Sequence, residues 1–508
     1  MIMKKITLFF IGLSFFSCKK EWLELEQPGN QEKPYFVDAA SAYEAMVAAY
    51  DVIAWRQNLV ALWAVGSVMS DDAIKGGESD GDQQGMYELM TFTATSFTDV
   101  PNWIYADMYR LIARANFAIE AIEEIDMDQA LKDRYTAECK FLRGYAYLRL
   151  AKNFGGMMIY TSGNDISAGK SRATIEETYA QVESDLIAAS SVLPSILPLS
   201  ERGRATKGAA DGLLAQAYLF QKKWPETKTA CEEVMNSGLY ALVTNYSDVF
   251  TSQQQWGSEV VWAINAVEDQ NGNWGEHEGS WLSVWFGDRD MGWGYGFNNP
   301  TQDFVDAFEV GDQRLDASVV TNGESIPGTF GGAPHVFSGP NSGDWNPATG
   351  YTCQKYLIPD AERPVTEDCN GNLDYMYLRY SDVLLMHAEA SLESGDQGSA
   401  INSLNLVRQR AGLPNYDPTS TVISNYKETS LLGLDPLKAS IYHERRVELG
   451  LENTRFYDLV RWGVAEAVLH DFNAYGKGNY VEGCSGVLPI PDNDVTVSDG
   501  LIEQNNCY

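Results

Sequence analysis

The chain has 508 residues and a formal net charge of −33, because 70 acidic residues face 37 basic ones. A field of that sign repels nucleic acid and anionic lipid, so the sequence predicts no nucleic-acid partner and favours an uncharged ligand. Hydrophobic residues make up 44% of the chain, which is enough for a substantial core. We therefore expect a globular protein and exclude a disordered or nucleic-acid-binding one.

The first element is a secretion signal. Lys4 and Lys5 precede an apolar run over 6–16, which is too short to span ~30 Å of hydrocarbon as a helix. The run ends at Ser17-Cys18, a small residue directly before a cysteine, as lipoprotein signal peptidase requires. We predict a lipoprotein signal peptide over 1–17, lipidation of Cys18, a tether over 18–40 and one domain over 41–508. No later stretch is apolar enough to cross a bilayer, so lipid is the expected anchor.

The dominant signal after the tether is helical. Apolar residues recur at i, i+4 and i+7 in two segments, at Phe141, Tyr145 and Leu148 and again from Leu213. Helical segments follow one another in pairs, 135–154 with 174–193, 206–222 with 225–237, and 380–394 with 397–411. Paired helices of this length are typical of tetratricopeptide-like hairpins, and we predict an all-α fold in which irregular pairs form a scaffold.

A segment of different composition separates the second and third pairs. From about 269 to 373 the chain is rich in Gly, Asn, Trp, Pro and Asp, and it shows little periodicity. Loops of that length inside a compact domain are usually functional. The segment carries a set of aromatic residues interspersed with amide and carboxylate side chains: Trp274, Trp281, Trp285, Trp293, Tyr295 and Trp345, with Asp344 and Asn346 among the polar ones.

That mixture suits a carbohydrate. Pyranose rings present apolar C–H faces to flat aromatic side chains, while their hydroxyls need planar hydrogen-bonding partners such as Asp, Asn and Arg. The alternative is that the tryptophans anchor a helix-poor subdomain, since Trp is usually largely buried. We predict that the segment as a whole binds the ligand.

The seven cysteines allow disulfides in an exported protein. Cys353 and Cys369 bracket a loop-like segment, and Cys484 and Cys507 bracket the C-terminal tail, so each pair is a candidate bridge. Cys139 and Cys231 lie in helical patterns, and we expect both to be buried thiols.

Catalytic and metal motifs are sparse. His443-Glu444 is followed by Arg445-Arg446-Val447, so the second histidine of a zinc H-E-x-x-H motif is missing. A calcium loop resembling 269–273 has Trp274 where the turn needs Gly. We therefore predict no cofactor, with calcium at 269–273 as the remaining option. The carboxylates are numerous, so a glycosidase pair stays open at this point.

Several blocks, in order and at consistent spacing, resemble the SusD/RagB outer-membrane lipoproteins of Bacteroidetes over nearly the whole chain. They are Trp22-Leu23-Glu24-Leu25, Met69-Ser70-Asp71-Asp72, Met108 to Asn116, Ala137 to Tyr145 with Asn153-Phe154-Gly155, Pro300 to Glu309, Leu378 to Ala390, and Leu488-Pro489-Ile490-Pro491 with Gln504-Asn505-Asn506. The most specific block runs from Glu444-Arg445-Arg446-Val447-Glu448-Leu449 through Arg455 to Gly463. Its charged residues also fit i, i+3 and i+4 ion pairs, and we interpret the cluster as structural.

The resemblance implies a SusD-like fold and a non-enzymatic role. Such a protein captures oligosaccharide at the cell surface and passes it to a SusC-like TonB-dependent transporter in the outer membrane. The resemblance places ligand loops at 71–85, 98–103, 269–299 and 343–351. The predicted ligand-binding residues are Asp71, Asp72, Asn102, Trp103, Trp274, Trp281, Trp285, Trp293, Tyr295, Asp344, Trp345 and Asn346. The alternatives are a secreted all-α glycoside hydrolase and a SusD-like binder of peptide or glycopeptide.

Overall fold

A computed structural model of the chain describes residues 36–163, 169–268, 279–289, 294–321, 323–325, 334, 336–337, 349–363, 369–470 and 475–508. Helix α1 (Ala39–Ala54) begins where the Asp38 carboxylate accepts a hydrogen bond from the backbone N–H of Ser41, and the backbone N–H of Asp38 donates to the Ser41 hydroxyl. That reciprocal pair satisfies backbone donors that a helix start leaves open. The helical domain is thus under way two residues before the predicted boundary at 41.

The N-terminal half is almost entirely helical. After α1 come seven helices: α2 (Arg56–Trp63), α3 (Gln84–Met90), α4 (Asp99–Glu124), α5 (Gln129–Phe154), α6 (Ile175–Ser190), α7 (Lys207–Phe220) and α8 (Trp224–Asn236). Successive long helices pack side by side, α4 on α5, α5 on α6, α6 on α7 and α7 on α8. The first two predicted hairpins are confirmed as α5 with α6 and α7 with α8.

The C-terminal half contains the third hairpin and a set of shorter helices. The helices are α9 (Leu282–Phe286), α10 (Gln302–Asp306), α11 (Arg314–Ser318), α12 (Tyr380–Glu393), α13 (Gln397–Arg410), α14 (Lys427–Ser430), α15 (Pro436–Leu449), α16 (Arg455–Trp462), α17 (Ala465–His470) and α18 (Asp492–Val497). Helix α12 packs on α8, on α13 and on α15, which joins the two halves. The predicted 380–411 hairpin is confirmed as α12 with α13.

Short strands pair in three two-stranded sheets within the described residues. They are β1 (Ala73–Gly76), β2 (Val260–Ile264), β3 (Phe297–Pro300), β4 (Val319–Thr321), β5 (Tyr351–Cys353) and β6 (Tyr375–Arg379). All three pairs, β1 with β3, β2 with β6 and β4 with β5, are antiparallel. The β1–β3 pair joins the 269–373 segment to the N-terminal half, the β2–β6 pair flanks the segment, and the β4–β5 pair lies within it. The all-α prediction is confirmed with this addition.

The centre of the protein holds a network of buried ion pairs. Arg379 contacts Glu259, Glu448 and Glu452 at 2.6–3.0 Å, and Arg314 contacts Glu444 and Glu448 at 2.7 and 3.0 Å. The structural interpretation of the 444–463 cluster is confirmed, but its geometry differs from the prediction, because most partners lie on distant segments. The exception is Arg461 with Asp458, which is spaced i, i+3. A buried charge with satisfied partners is tolerated, whereas removing one partner is costly.

One of the two candidate disulfides is present. Cys484 is bonded to Cys507 across 23 positions. Cys353 is a buried thiol instead of a partner for Cys369, and burial raises the pKa of Cys353 to about 12. Cys139 and Cys231 are buried thiols, as expected.

Candidate functional site: a face built from three loops

The face begins where β1 pairs with β3. Ala73 lies opposite Pro300, and Gly76 lies opposite Phe297. The backbone N–H of Gly77 then donates to the carbonyl of Gly296 at 2.8 Å. Gly76 has φ +75°, and a Cβ there would collide with that same Gly296 carbonyl, so a glycine is required at this approach. The pairing joins the loop after the Ser70-Asp71-Asp72 block to the end of the aromatic segment.

A buried lysine shapes the 77–85 loop. The Nζ atom of Lys75 donates to the carbonyls of Ser79, at 2.8 Å, and Asp82. Burial lowers the pKa of Lys75 to about 8, against the opposing effect of Asp82 and Asp80. Arg289 from the aromatic segment forms an ion pair with Asp82 at 2.7 Å. The loop therefore presents residues 78–81 to solvent while both of its ends are fixed.

The third loop runs from the end of α3 into α4. The Thr98 hydroxyl donates to the Glu88 carboxylate, and a Cβ on Gly85 would collide with the carboxylate of Asp99. The 77–85 loop thus contacts the loop at 97–103 on one side, and Arg289 and Gly296 on the other. We call residues 77–85, 97–103 and 281–299, as far as they are described, the three-loop face.

Accessible aromatic and polar side chains line this face. Phe97 is 74% exposed, and Trp103 is half-buried against the core. Asn102 is also half-buried, but its Oδ1 atom is buried and has no hydrogen-bond partner in the described part of the chain. Tyr295 is half-buried, with its ring edge-on to Trp285 at 5.8 Å. Asn102, Trp103 and Tyr295 are among the ligand-binding residues predicted from the sequence.

Two predicted ligand residues lie inside the ion-pair network instead. Asp71 and Asp72 are both 0% exposed. Arg455 pairs with both oxygens of Asp71 at 2.8 and 3.0 Å, and Arg446 reaches Asp72 at 2.8 Å. Their assignment as ligand contacts is corrected on this ground, because their carboxylates are closed off from solvent.

The pKa values of the two carboxylates shift in opposite directions. Burial alone would raise the pKa of Asp71, but Arg446, Arg455 and Lys427 together hold it well below its usual value. Burial raises the pKa of Asp72 to about 6, and the negative charge of Asp71 acts in the same direction. The pair thus ties β1 to the helical core by charge and is not placed for chemistry on a ligand.

Two predicted stacking residues are also buried. Trp285 is 4% exposed, and its ring packs against Phe297 at 4.7 Å and Trp63 at 5.8 Å. Trp281 is 7% exposed and lies beneath the guanidinium of Arg56 at 4.8 Å. Both rings anchor the aromatic segment to α2, which is the alternative role considered from the sequence. The other predicted residues, Cys18, Trp274, Trp293, Asp344, Trp345 and Asn346, lie outside the described residues.

Sequence reasoning missed Phe97, Asp82 and Arg289 on the face. Phe97 is a single aromatic residue in a stretch of small polar residues, so composition does not indicate a binding residue there. Its exposure follows from its place in the loop between α3 and α4. The Asp82–Arg289 pair spans 207 positions, and no local pattern predicts a contact at that separation. The sequence gives Lys75 no special role, because its Nζ contacts with the loop carbonyls depend on the tertiary structure.

The described residues offer little for metal or nucleophilic chemistry. No group of three or more potential metal ligands occurs among them, and the 269–273 calcium option lies outside them. The His443 ring stacks on Tyr426 at 3.7 Å, and Glu444 is ion-paired with Arg314. Helices long and apolar enough to cross a membrane are absent from the same described part of the chain.

The helical hairpins form an all-α scaffold that carries the three-loop face. Two family profiles match the sequence, one described as "SusD family" over residues 258–508 and one described as "Starch-binding associating with outer membrane" over residues 21–219. The chain belongs to the SusD/RagB family. The resemblance identified from the sequence blocks is confirmed.

Individual relatives agree with this assignment. "SusD-like protein P25" of Formosa agariphila is 28% identical over 433 residues, covering 80% of this chain and 79% of that protein. A "SusD-like protein" of Bacteroides ovatus is 25% identical, covering 92% and 84%. Among solved structures, a "Laminarin binding SusD-like protein" superimposes with a TM-score of 0.75 at 27% identity, covering 93% of this chain and 100% of that one. "Surface glycan-binding protein A" of Bacteroides thetaiotaomicron gives 0.76 at 25% identity, covering 93% and 100%.

Proposed function

We propose that this protein is a cell-surface lipoprotein that binds a neutral oligosaccharide on the three-loop face and delivers it to a SusC-like TonB-dependent transporter. The observation that carries the proposal is the convergence of three loops, distant in sequence, on one face with accessible aromatic and amide side chains. Phe97, Trp103 and Tyr295 supply ring surface, and Asn102 supplies a half-buried amide side chain beside them. Stacking and hydrogen bonding of this kind match the two surfaces of a pyranose.

Two further lines support a neutral glycan. Solved relatives at 25–27% identity are named for binding glycan, in one case laminarin. The net charge of −33 disfavours polyanions, and Glu78 and Asp80 add exposed acidic groups on the face itself. A neutral β-glucan is therefore the first ligand to test.

The binding test compares single truncations on and off the face. Purified protein is titrated with laminarihexaose by calorimetry, with mannan, xylan and starch oligosaccharides as further probes. Trp103→Ala and Phe97→Ala are expected to weaken binding about ten- to a hundredfold, since base or ring stacking contributes about 1–3 kcal/mol per ring. Phe117→Ala is the matched control, because Phe117 is 38% exposed on α4 well beyond the face. Equal affinity in all three variants would show that the three-loop face does not bind the oligosaccharide.

We propose no chemistry on the ligand. Asp71 and Asp72 are sealed in ion pairs, and the relatives are named as binding proteins. The enzymatic alternative is tested by incubating the protein with the same glycans and measuring new reducing ends. Turnover that a carboxylate substitution abolishes would make the protein a hydrolase.

The anchor and the partner follow from the N-terminus and the family. Cys18→Ala is expected to release the protein from the membrane fraction, because lipid is the proposed anchor. In cells that lack the transporter, retention of that variant on the outer membrane would contradict lipidation. A stable complex with a β-barrel transporter is expected after mild-detergent purification, and repeated recovery without a barrel would contradict the delivery step.

A further inference from the structure

A small cavity lies beside α4, at some distance from the tips of the three loops. Its volume is about 280 Å³, against about 650 Å³ for the cavity near α10. It is bounded by α4, by the segment that follows α5 and by the C-terminal segment around α18. Ligand cavities start at about 300 Å³, so this one is sized for a single ring.

Tyrosine rings form the walls. Tyr105 and Tyr109 lie 4.8 Å apart, and Tyr160 stands edge-on to Tyr109 at 6.0 Å. The Tyr109 hydroxyl donates to the Met158 carbonyl at 3.2 Å, and the Tyr147 hydroxyl donates to the Tyr160 carbonyl at 3.0 Å. These bonds hold the wall segments in place, so the cavity exists before any ligand arrives.

Two polar groups belong to the same cavity. Tyr105 is 4% exposed, and its hydroxyl has no hydrogen-bond partner among the described residues. A buried hydroxyl without a partner costs free energy that an incoming oxygen atom would recover. The Asp494 carboxylate also lines the cavity and can accept from a ligand hydroxyl. Together they offer one donor and one acceptor beside aromatic surface, and the carboxylate disfavours an anion.

The cavity continues the three-loop face along one side of α4. Asn102, Ala106 and Tyr109 are spaced i, i+4 and i+7, which places them on one face of the helix. At about 1.5 Å per residue, Asn102 and Tyr109 are about 10 Å apart along the axis. An oligosaccharide bound at Asn102 can therefore extend into the cavity.

We propose that this cavity is a saccharide subsite that binds one pyranose ring, with the Tyr105 hydroxyl donating to a ring substituent and Asp494 accepting from another. The subsite rests on the proposed glycan-binding function and extends it beyond the loops. It also predicts that ligands long enough to reach from the face to the cavity bind more tightly than short ones.

Two substitutions test the subsite without touching the three-loop face. Tyr105→Phe removes a single oxygen atom, and affinity for laminarihexaose is expected to fall about three- to tenfold, as for one lost hydrogen bond. The melting temperature is expected to stay level or rise, because the lost hydroxyl had no partner in the protein. Ala113→Phe places a ring in the cavity and is expected to abolish the gain in affinity from laminaribiose to laminarihexaose. Ala130→Phe, at an exposed position of α5, is the matched control.

The outcomes separate the subsite from the function as a whole. If Trp103→Ala loses hexaose binding while Tyr105→Phe and Ala113→Phe bind like the unmodified protein, the subsite is wrong and the proposed function stands. If the unmodified protein binds none of the saccharides, both the subsite and the proposed function are wrong. The dipeptide Gly-Tyr is added as a competitor of laminarihexaose. If it removes the difference in hexaose affinity between the unmodified protein and Tyr105→Phe, the cavity binds peptide and the saccharide subsite is wrong. A fall in melting temperature for Tyr105→Phe would mark the hydroxyl as structural and overturn the subsite.

Discussion

The carboxylate of Asp71 forms a two-point ion pair with the guanidinium of Arg455, 384 positions further along the chain, through contacts of 2.8 and 3.0 Å. Arg446 adds a third contact to Asp71 at 3.0 Å. The loop that carries part of the proposed ligand face is therefore fastened to the C-terminal helices by charge. Paired geometry of this kind fixes direction as well as distance, because the guanidinium is planar.

Asp71→Asn is expected to destabilise the protein by about 3–5 kcal/mol, because it leaves two buried guanidinium groups short of a negative partner. The measurement is the free energy of unfolding in denaturant. Asp51→Asn is the matched control, since the Asp51–Arg114 pair is about one-third exposed on both sides and such pairs contribute about 1 kcal/mol or less. Equal effects of the two substitutions would show that the buried network does not fasten the loop.

Trp285→Ala is expected to lower the free energy of unfolding by about 3–5 kcal/mol, because it empties a site packed by Phe297 and Trp63. Where the variant remains folded, its glycan affinity is expected to be close to that of the unmodified protein. Circular dichroism melting and calorimetric titration on the same preparation give both quantities. A variant with an unchanged melting temperature and lost binding would place Trp285 in the ligand site after all.

Lys152→Met is expected to stabilise the protein near pH 7 by about 1–4 kcal/mol. Burial lowers the pKa of Lys152 to about 7; Arg149 and Arg461 act in the same direction, and Asp458 and Asp382 oppose them. The Nζ atom lies over the Tyr457 ring at 4.1 Å.

The sign of the pH dependence follows from that lowered pKa. Between pH 7 and about 10.5 the unfolded chain holds a proton that the folded chain has released, so stability rises with pH across that window. The advantage of the Met variant should therefore shrink from pH 7 to pH 10, measured as unfolding free energy at each pH. The exposed Lys222→Met serves as control, and a constant difference between Lys152→Met and the unmodified protein across the window would contradict the lowered pKa.

Cys507→Ser is expected to lower the unfolding free energy by about 3 kcal/mol, from the unfolded-chain entropy that a bridge across 23 positions removes. A reducing agent should lower the melting temperature of the unmodified protein to that of the variant and leave the variant unchanged. A melting temperature that does not respond to reductant would show that the bridge closes a segment that opens independently of the core.

Local patterns predicted the scaffold well. The three helical hairpins depend on apolar spacing that repeats every turn, as at Phe141, Tyr145 and Leu148, and such spacing is visible in a short window. The buried arginines of the 444–463 block were also interpreted correctly as structural. Their partners were not, because an ion pair such as Arg446 with Asp72 joins positions 374 apart.

The candidate face was predicted in outline and less well in detail. The family resemblance implied ligand loops at 71–85, 98–103, 269–299 and 343–351, yet within them Asp71, Asp72, Trp281 and Trp285 are buried. Composition cannot distinguish a tryptophan that stacks on a sugar from one that packs in the core. Trp285 is buried because its ring packs against Phe297 of β3, which pairs with β1. Phe97 shows the converse, since one exposed ring in a polar stretch carries no periodic signal at all.

The buried ion pairs that hold the three-loop face lie apart from its exposed residues 78–81. The contacts that hold β1, α10, α15 and α16 together run through Asp71, Asp72, Asp303, Arg446 and Arg455, and none of these residues lies on a loop tip. Residues 78–81 lie outside this ion-pair network, and the Ser79 carbonyl fixes them to the structure beneath by accepting from Lys75 Nζ at 2.8 Å. A grafted loop that keeps a carbonyl at the position of Ser79 would leave the ion pairs of Asp71 and Asp72 unchanged.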